Sequence, residues 1–202
     1  MNPSPDNTTP DYLDLPLGEF LDLVASGGPA PGGGSVAAVS VALAAGLAGM
    51  AARLSTGQLA GAAELADRAD ALRKGVAPLA TADAESYGRV LDAYRDPVSE
   101  TRTSRVRDAL SGAADVPLAV AEIGNEVAGI VARLADEGNP NLKGDAITAV
   151  LLASAGVRAA ATLAEINLSA ANIDDGRLGR SNELVEKSAA IVRRVTGAEG
   201  RG

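Results

Sequence analysis

The sequence predicts an all-α protein, a single-domain helical bundle of about six helices, several of them long and proline-kinked. Aromatic residues make up only 2% of the chain, and most of its 47% hydrophobic residues are Ala, Leu and Val. Ala is the best helix former, whereas aromatic residues favour strands. Apolar residues recur three and four positions apart, as on the buried face of a helix, and no segment shows strand-like alternation.

The first two predicted helices flank a glycine-rich loop. The first covers residues 17–25, and Gly and Pro occupy most of residues 26–35. The second covers residues 35–55. Small residues in it allow neighbouring helices to pack on several sides. Its larger apolar residues share one face: Val36, Val39, Leu43, Leu47, Met50 and Leu54.

The remaining predicted helices are longer. The third covers residues 58–95 and contains Pro78, which should kink it or split it in two. The fourth begins in the charged segment 98–108 and runs to about residue 136, with a second internal proline at Pro117. A loop rich in Gly, Asn and Pro then precedes the last two helices: residues 145–171 and 179–196.

The helical domain is expected to cover residues 17–196. Residues 1–16 contain four Pro and many polar residues without the pattern of a signal peptide, so we expect a disordered tail. Residues 197–202 are expected to fray. The apolar run 36–54 consists mostly of Ala and Gly and has Arg53 near its end, which favours a buried core helix over a membrane span. A cytoplasmic location follows as the expectation.

Charge and residue types restrict the possible chemistry. The net charge is −8, which argues against nucleic acid and anionic membrane surfaces as partners. The chain has no Cys and no His. Disulfides and thiolate chemistry are therefore excluded, the commonest metal ligand is missing, and we expect no metal site. In an enzyme, proton transfers would fall to Asp, Glu, Lys, Tyr or bound water.

Asp83 is the most informative single residue. It lies on the apolar stripe of the third predicted helix, where a hydrophobic side chain is expected. An unpaired carboxylate there costs on the order of several kcal/mol in desolvation. Two interpretations follow. Asp83 could pair with an Arg or cap a neighbouring helix, or it could lie in a cavity as a catalytic general acid/base whose proton affinity is raised by burial.

A run of three glycines precedes the second predicted helix. Gly32, Gly33 and Gly34 lead to Ser35, the expected N-cap. Free N–H groups at a helix start attract anions and carbonyl groups, and missing side chains would let a ligand approach the backbone. A flexible connection is the simpler alternative. No strand precedes the run and no Gly-Lys-Ser/Thr follows, so it is neither a P-loop nor a dinucleotide fingerprint.

The fifth predicted helix contributes three further polar candidates. Asp145 is expected to be its N-cap. Lys143, one of three lysines, is either solvated or able to hold an anion near the helix start. Asn167 lies near the helix end, where an isolated Asn is usually a surface or capping residue.

Several segments together resemble one family. Gly18-Glu19-Phe20-Leu21 is followed by Pro29-Ala30-Pro31-Gly32-Gly33-Gly34-Ser35, and later by Asp83-Ala84-Glu85-Ser86-Tyr87, Gly138-Asn139 with Asp145, and Ile166-Asn167-Leu168. Their order and spacing resemble the folate cyclodeaminase/cyclohydrolase family from about residue 17 to 195. That family includes the deaminase half of formiminotransferase-cyclodeaminase and bacterial methenyltetrahydrofolate cyclohydrolases.

The resemblance implies a helical homodimer, a tetrahydrofolate derivative as substrate and Asp83 as the catalytic acid/base. The implied reaction is either ammonia release from 5-formiminotetrahydrofolate or hydrolysis of 5,10-methenyltetrahydrofolate. Neither needs a metal or redox cofactor, so none is expected beyond the tetrahydrofolate substrate. The implied substrate-binding residues are Gly32, Gly33, Gly34, Ser35, Asn139, Lys143, Asp145 and Asn167.

The sequence also departs from the family pattern. Gly144 stands where Ser is usual, Thr81 where an acidic residue often precedes Asp83, and Leu163 where Asn is usual. The missing Asn removes a polar contact near the implied site, so a catalytically degenerate folate-binding or scaffold dimer is the alternative function.

One basic stretch is either a solvated helix face or a contact for a polyglutamate tail: Arg102, Arg105 and Arg107.

Overall fold

The structure, a computed structural model, describes residues 9–197 and confirms the all-α prediction for them. Within this range the chain forms seven α-helices and a 3-10 turn at Pro140–Leu142, with no strand. The helices are α1 (Leu17–Ala25), α2 (Gly33–Arg53), α3 (Ala62–Val76), α4 (Leu79–Arg95), α5 (Glu100–Glu137), α6 (Lys143–Ala170) and α7 (Gly176–Thr196).

The two internal prolines have different effects. The third predicted helix is two helices, because α3 ends at Val76 and α4 begins directly after Pro78. A proline suits a helix start, where its missing N–H has no intrahelical partner to lose. Pro117 instead lies inside α5, which continues from Glu100 to Glu137. The helix count therefore rises by one over the predicted six.

Residues 9–16 differ from the predicted disordered tail. Tyr12 is only 6% exposed. Its N–H donates to Thr81 Oγ1 at 3.0 Å, and its ring meets the Phe20 ring edge-on with centroids 5.7 Å apart. The polar and proline-rich composition of this segment gave no indication that Tyr12 packs against the helices. The rest of both predicted tails, residues 1–8 and 198–202, lies outside the described residues.

The core is built from small side chains, and this lets α2 lie close to α5 and α6. The buried residues of α2 are almost all Ala, Gly or Ser. Gly124 of α5 and Gly156 of α6 both face Val41 of α2. Some larger apolar residues lie on the outside instead, since Leu43 of α2 and Leu54 directly after it are 59% and 55% exposed.

Two helical segments, Gly33–Arg53 and Pro140–Ala170, are long and apolar enough to cross a membrane by length and composition. In the fold, 56% and 50% of their apolar windows are buried inside the protein. They pack against each other and against α5, which is the arrangement of core helices in a bundle.

Substituting Gly156 with Ala should destabilise the protein. A Cβ at this position would lie 2.6 Å from Val41 Cγ2 and 3.2 Å from the Ala37 carbonyl oxygen. Such overpacking should lower the free energy of unfolding by about 1–3 kcal/mol, even though Ala is the better helix former. Urea unfolding followed by circular dichroism measures the change.

Gly129→Ala is the matched control, since Gly129 is also inside a helix but a Cβ there meets no atom within 4 Å. This variant should be stabilised by about 0.5–1 kcal/mol. If Gly156→Ala were as stable as Gly129→Ala, the close approach of α2 and α6 would be wrong.

Candidate active site

A cavity of about 270 Å³ opens at the first turn of α2. The loop before α2, the middle of α4 and the last turns of α6 form its walls, and α5 contributes Ala113. It brings together five of the predicted site residues: Gly32, Gly33, Gly34, Asp83 and Asn167. The other lining residues are Pro29, Ala30, Ala84, Ser86, Tyr87, Leu163 and Ile166.

The Asp83 carboxylate caps the start of α2 from the neighbouring helix α4. Its Oδ2 accepts the Ser35 N–H at 3.0 Å. The Ser35 hydroxyl lies 3.5 Å from the same oxygen but only 2.7 Å from the Ala80 carbonyl oxygen, to which it donates its single proton. Ser35 is therefore not the N-cap predicted from sequence, because α2 starts at Gly33 and Gly32 holds the N-cap position.

Only one oxygen of Asp83 is used in this contact. Within residues 9–197, Oδ1 receives no hydrogen bond from the protein, and no Arg or Lys forms an ion pair with the carboxylate. Of the alternatives drawn from sequence, pairing with an Arg is excluded among these residues. Capping of a neighbouring helix is observed, and it coexists with the position in a cavity.

Gly34 gives Asp83 the space to reach α2. A Cβ on Gly34 would lie 2.0 Å from Oδ1 and 2.5 Å from Oδ2 of Asp83. By contrast, a Cβ on Gly33 would meet only Leu163 Cδ1 at an ordinary 3.6 Å, and one on Gly32 would meet nothing within 4 Å. The three glycines therefore have different roles, and only the third is required by the carboxylate.

Burial raises the pKa of Asp83 above its ordinary value, against the opposing effect of the hydrogen bonds from Ser35. Because the pKa is higher in the folded state, protonation of Asp83 favours folding. This contribution is fully present below the unfolded-state pKa and is lost as the pH rises through the folded-state pKa. Keeping the buried Asp83 carboxylate ionised therefore costs free energy, as expected for a reactive group rather than a purely structural one.

Asn167 joins two walls of the cavity. Its Nδ2 donates to the Ala113 carbonyl oxygen at 2.9 Å and so ties the end of α6 to α5. It is therefore neither a capping residue nor a free surface side chain.

Sequence reasoning missed the apolar walls of the cavity. Tyr87, Leu163 and Ile166 line it, and the Tyr87 side chain is 44% exposed. One available signal was the spacing between Asp83 and Tyr87, since residues four apart lie on the same face of a helix.

Tyr12 was also missed. Burial raises the pKa of its phenol, and the charge of Asp83 raises it further, so the two side chains interact electrostatically.

The structure does not bring Asn139, Lys143 and Asp145 to this cavity. Asp145 and Asn167 stand at opposite ends of α6, about 33 Å apart along its axis. The prediction that these three residues share the site with Asp83 therefore fails within one chain. They could reach a substrate in such a cavity only from another copy of the protein.

These residues have local roles at the far end of α6. The Asn139 N–H donates to Ser55 Oγ at 2.9 Å, and its Nδ2 donates to the Leu54 carbonyl oxygen at 3.1 Å. Asp145 is not the predicted N-cap, because the 3-10 turn leads directly into α6 at Lys143 and places Asp145 inside the first turn. Lys143 is exposed.

Comparison with known proteins identifies the family. The family model described as Formiminotransferase-cyclodeaminase matches residues 16–183. The chain belongs to the formiminotransferase-cyclodeaminase family. It is 33% identical to a methenyltetrahydrofolate cyclohydrolase of Methylorubrum extorquens over 192 residues, which cover 87% of this chain and 91% of the relative.

A solved structure supports the same assignment. The crystal structure of formiminotetrahydrofolate cyclodeaminase from Thermotoga maritima matches with a TM-score of 0.83 and 29% identity, over 92% of this chain and 96% of that one. The family resemblance inferred from the sequence motifs is thereby confirmed, and so is the fold.

Replacing Gly34 with Ala should displace Asp83 and break its bond to the Ser35 N–H. The free energy of unfolding should fall by about 1–3 kcal/mol, while Gly33→Ala should stay within about 0.5 kcal/mol of the wild type. Chemical denaturation of the two variants measures both changes.

A double-mutant cycle tests the cause. In an Asp83→Ala background the carboxylate is absent, so Gly34→Ala should lose most of its effect on stability. An equal cost in both backgrounds would show that Gly34 does not serve to accommodate Asp83.

Proposed function

We propose that the chain is a folate one-carbon enzyme that acts on a tetrahydrofolate C–N bond, with Asp83 as general acid/base. The reaction is that of a formiminotetrahydrofolate cyclodeaminase or a methenyltetrahydrofolate cyclohydrolase. The observation that carries the proposal is the Asp83 carboxylate, which lies in a cavity with one oxygen unbonded by residues 9–197 and a pKa raised by burial. Family membership supports the choice of substrate.

The two reactions make the same demand on the protein. In the deamination, N10 attacks the formimino carbon and loses its proton, the bond to the departing nitrogen breaks and ammonia leaves, which requires a proton on that nitrogen. In the hydrolysis, water attacks the methenyl carbon and gives up two protons; one is released and the other goes to N5 as the C–N5 bond breaks, which gives 10-formyltetrahydrofolate. A carboxyl group whose pKa is raised by burial can donate the first proton and accept the second. We expect no metal or redox cofactor, because proton transfer suffices.

The walls of the cavity suit a flat heterocycle. Tyr87, Leu163 and Ile166 provide apolar and aromatic surface around Asp83, as is usual for sites that bury a small organic ligand. Leu163 replaces the Asn usual in the family with apolar surface. The scaffold alternative would have been favoured by a sealed Asp83 paired with an Arg, and residues 9–197 contain neither feature.

We further propose a homodimer formed through the outer faces of α2 and α6. These two helices lie side by side. Their outer faces carry exposed apolar side chains. Such a patch marks an interaction surface, and a two-fold dimer would cover the same patch on both copies. Ile166 belongs to both this face and the cavity wall, so the second copy would border the site. The exposed residues are Val36, Leu43, Leu54, Leu151 and Ile166.

A soluble, cytoplasmic protein fits this proposal. The two helices that could span a membrane by length have half or more of their apolar windows buried in the fold. The net charge of −8 also disfavours contact with anionic lipids or nucleic acid.

Asp83→Asn should lower kcat/KM by at least about 100-fold, because the amide cannot exchange a proton. The absorbance of 5,10-methenyltetrahydrofolate reports both reactions, its appearance from 5-formiminotetrahydrofolate and its consumption by hydrolysis. Asp67→Asn is the matched control, an exposed carboxyl on α3, and should keep its activity within about twofold. A folded wild type that matched the buffer blank with both substrates would favour the scaffold alternative.

Placing Glu at both Leu43 and Leu151 should convert the dimer to a monomer, since each charge would be buried without a partner in the interface. Light scattering after size exclusion measures the molar mass. Leu17→Glu is the control, because Leu17 is 70% exposed on α1 and should leave the mass unchanged. An unaltered mass in the double variant would contradict the proposed interface.

A further inference from the structure

A second depression, of about 440 Å³, lies between the end of α4, the start of α5 and the end of α6. It is lined by Tyr94, Arg102 and Arg107 among others. The Arg102 guanidinium carbon stands 6.0 Å from the centre of the Tyr94 ring. The depression therefore combines an exposed aromatic ring with two cationic groups.

This depression lies along the same helices as the candidate active site. Tyr87 lines the cavity and Tyr94 lines the depression, and they are two turns apart on the same face of α4. Likewise, Ala113 and Val106 are two turns apart on α5. Two turns correspond to about 10 Å. The depression thus begins about 10 Å beyond the cavity along the same three helices.

The charges in the depression have no partners among the described residues. Within residues 9–197, neither Arg102 nor Arg107 forms an ion pair, and no acidic residue lines the depression. In a chain with a net charge of −8, two such cations in one depression favour a ligand with carboxylates.

Another neighbouring depression, of about 450 Å³, serves as a comparison. It also contains two arginines, Arg89 and Arg95, but Glu85 and Asp92 line it as well. Arg95 donates to Asp92 Oδ1 at 2.6 Å. The formal charge of this depression is therefore balanced, and it should attract an anion less strongly than the depression at Arg102.

The candidate active site is too small to hold a whole folate. Its volume of about 270 Å³ is below the roughly 300–1,000 Å³ of pockets that bury ligands of that size. The reacting N5 and N10 atoms and the glutamate carboxylates lie at opposite ends of the p-aminobenzoyl unit. If the reacting end occupies the cavity, the other end must lie outside it.

We propose that the depression at Tyr94 binds the p-aminobenzoyl-glutamate end of the substrate, and this rests on the proposed function of the cavity. The Tyr94 ring contacts the benzoyl ring. Arg102 and Arg107 pair with the glutamate carboxylates and thereby position the substrate, while Asp83 carries out the proton transfer.

The test combines Arg102→Gln with Arg107→Gln. With the substrate that the wild type converts, KM should rise roughly 10- to 100-fold while kcat changes little. Added salt should raise KM of the wild type more than that of the variant, because the variant lacks the ion pairs. The matched control combines Arg89→Gln with Arg95→Gln, which removes the same charge from the other depression and should leave KM nearly unchanged.

A direct binding measurement separates this inference from the proposed function. Calorimetry with p-aminobenzoyl-triglutamate should show binding to the wild type and to Asp83→Asn, and at least tenfold weaker binding to the Arg102/Arg107 variant. Equal binding to wild type and arginine variant, or an equal loss in the Arg89/Arg95 control, would overturn the inference even if the enzyme is active. Arginine-dependent binding by a protein without catalysis would instead refute the proposed reaction alone.

Discussion

The hydrogen bond from the Ser35 N–H to the Asp83 carboxylate joins the first turn of α2 to the side of α4. Two opposing effects act on that carboxylate. The N-terminus of a helix stabilises an anion, whereas burial disfavours it. Burial prevails, so the pKa of Asp83 is raised above its ordinary value. The hydrogen bond thus fixes the position of Asp83, burial sets the direction of its pKa shift, and the absence of a side chain on Gly34 makes the contact possible.

The small-residue core determines where this contact can form. Because Gly124 and Gly156 face Val41, α2 lies close to α5 and α6 at this position. Its first turn is thereby held between α4 and the end of α6, where the cavity opens. Two larger apolar side chains of α2, Val36 and Leu43, remain on the outside. The helix therefore combines close packing inside with apolar surface on its outer face.

The helices could be predicted closely, because apolar periodicity and proline positions determine most of their bounds. The caps could not. Ser35 and Asp145 have the right residue types for N-caps, but the glycine run and the 3-10 turn each start the helix earlier. The position of Asp83 on an apolar stripe left a helix cap and a cavity as alternatives, and the structure shows both. The prediction that Asn139 lies in the same site as Asn167 was wrong. The shared family motifs do not show that the whole length of α6 separates the two residues.

The pKa of Asp83 decides whether this carboxyl group can act as both acid and base. A carbon-13 NMR titration of the side-chain carboxyl groups, with Asp83 assigned from its absence in Asp83→Asn, measures this value in the intact protein. The pKa of Asp83 should lie above the ordinary 3.8, because burial outweighs the hydrogen bonds from Ser35. A value at or below 3.8 would mean that the helix start dominates, that Asp83 is a structural cap ionised throughout, and that the acid/base role is wrong.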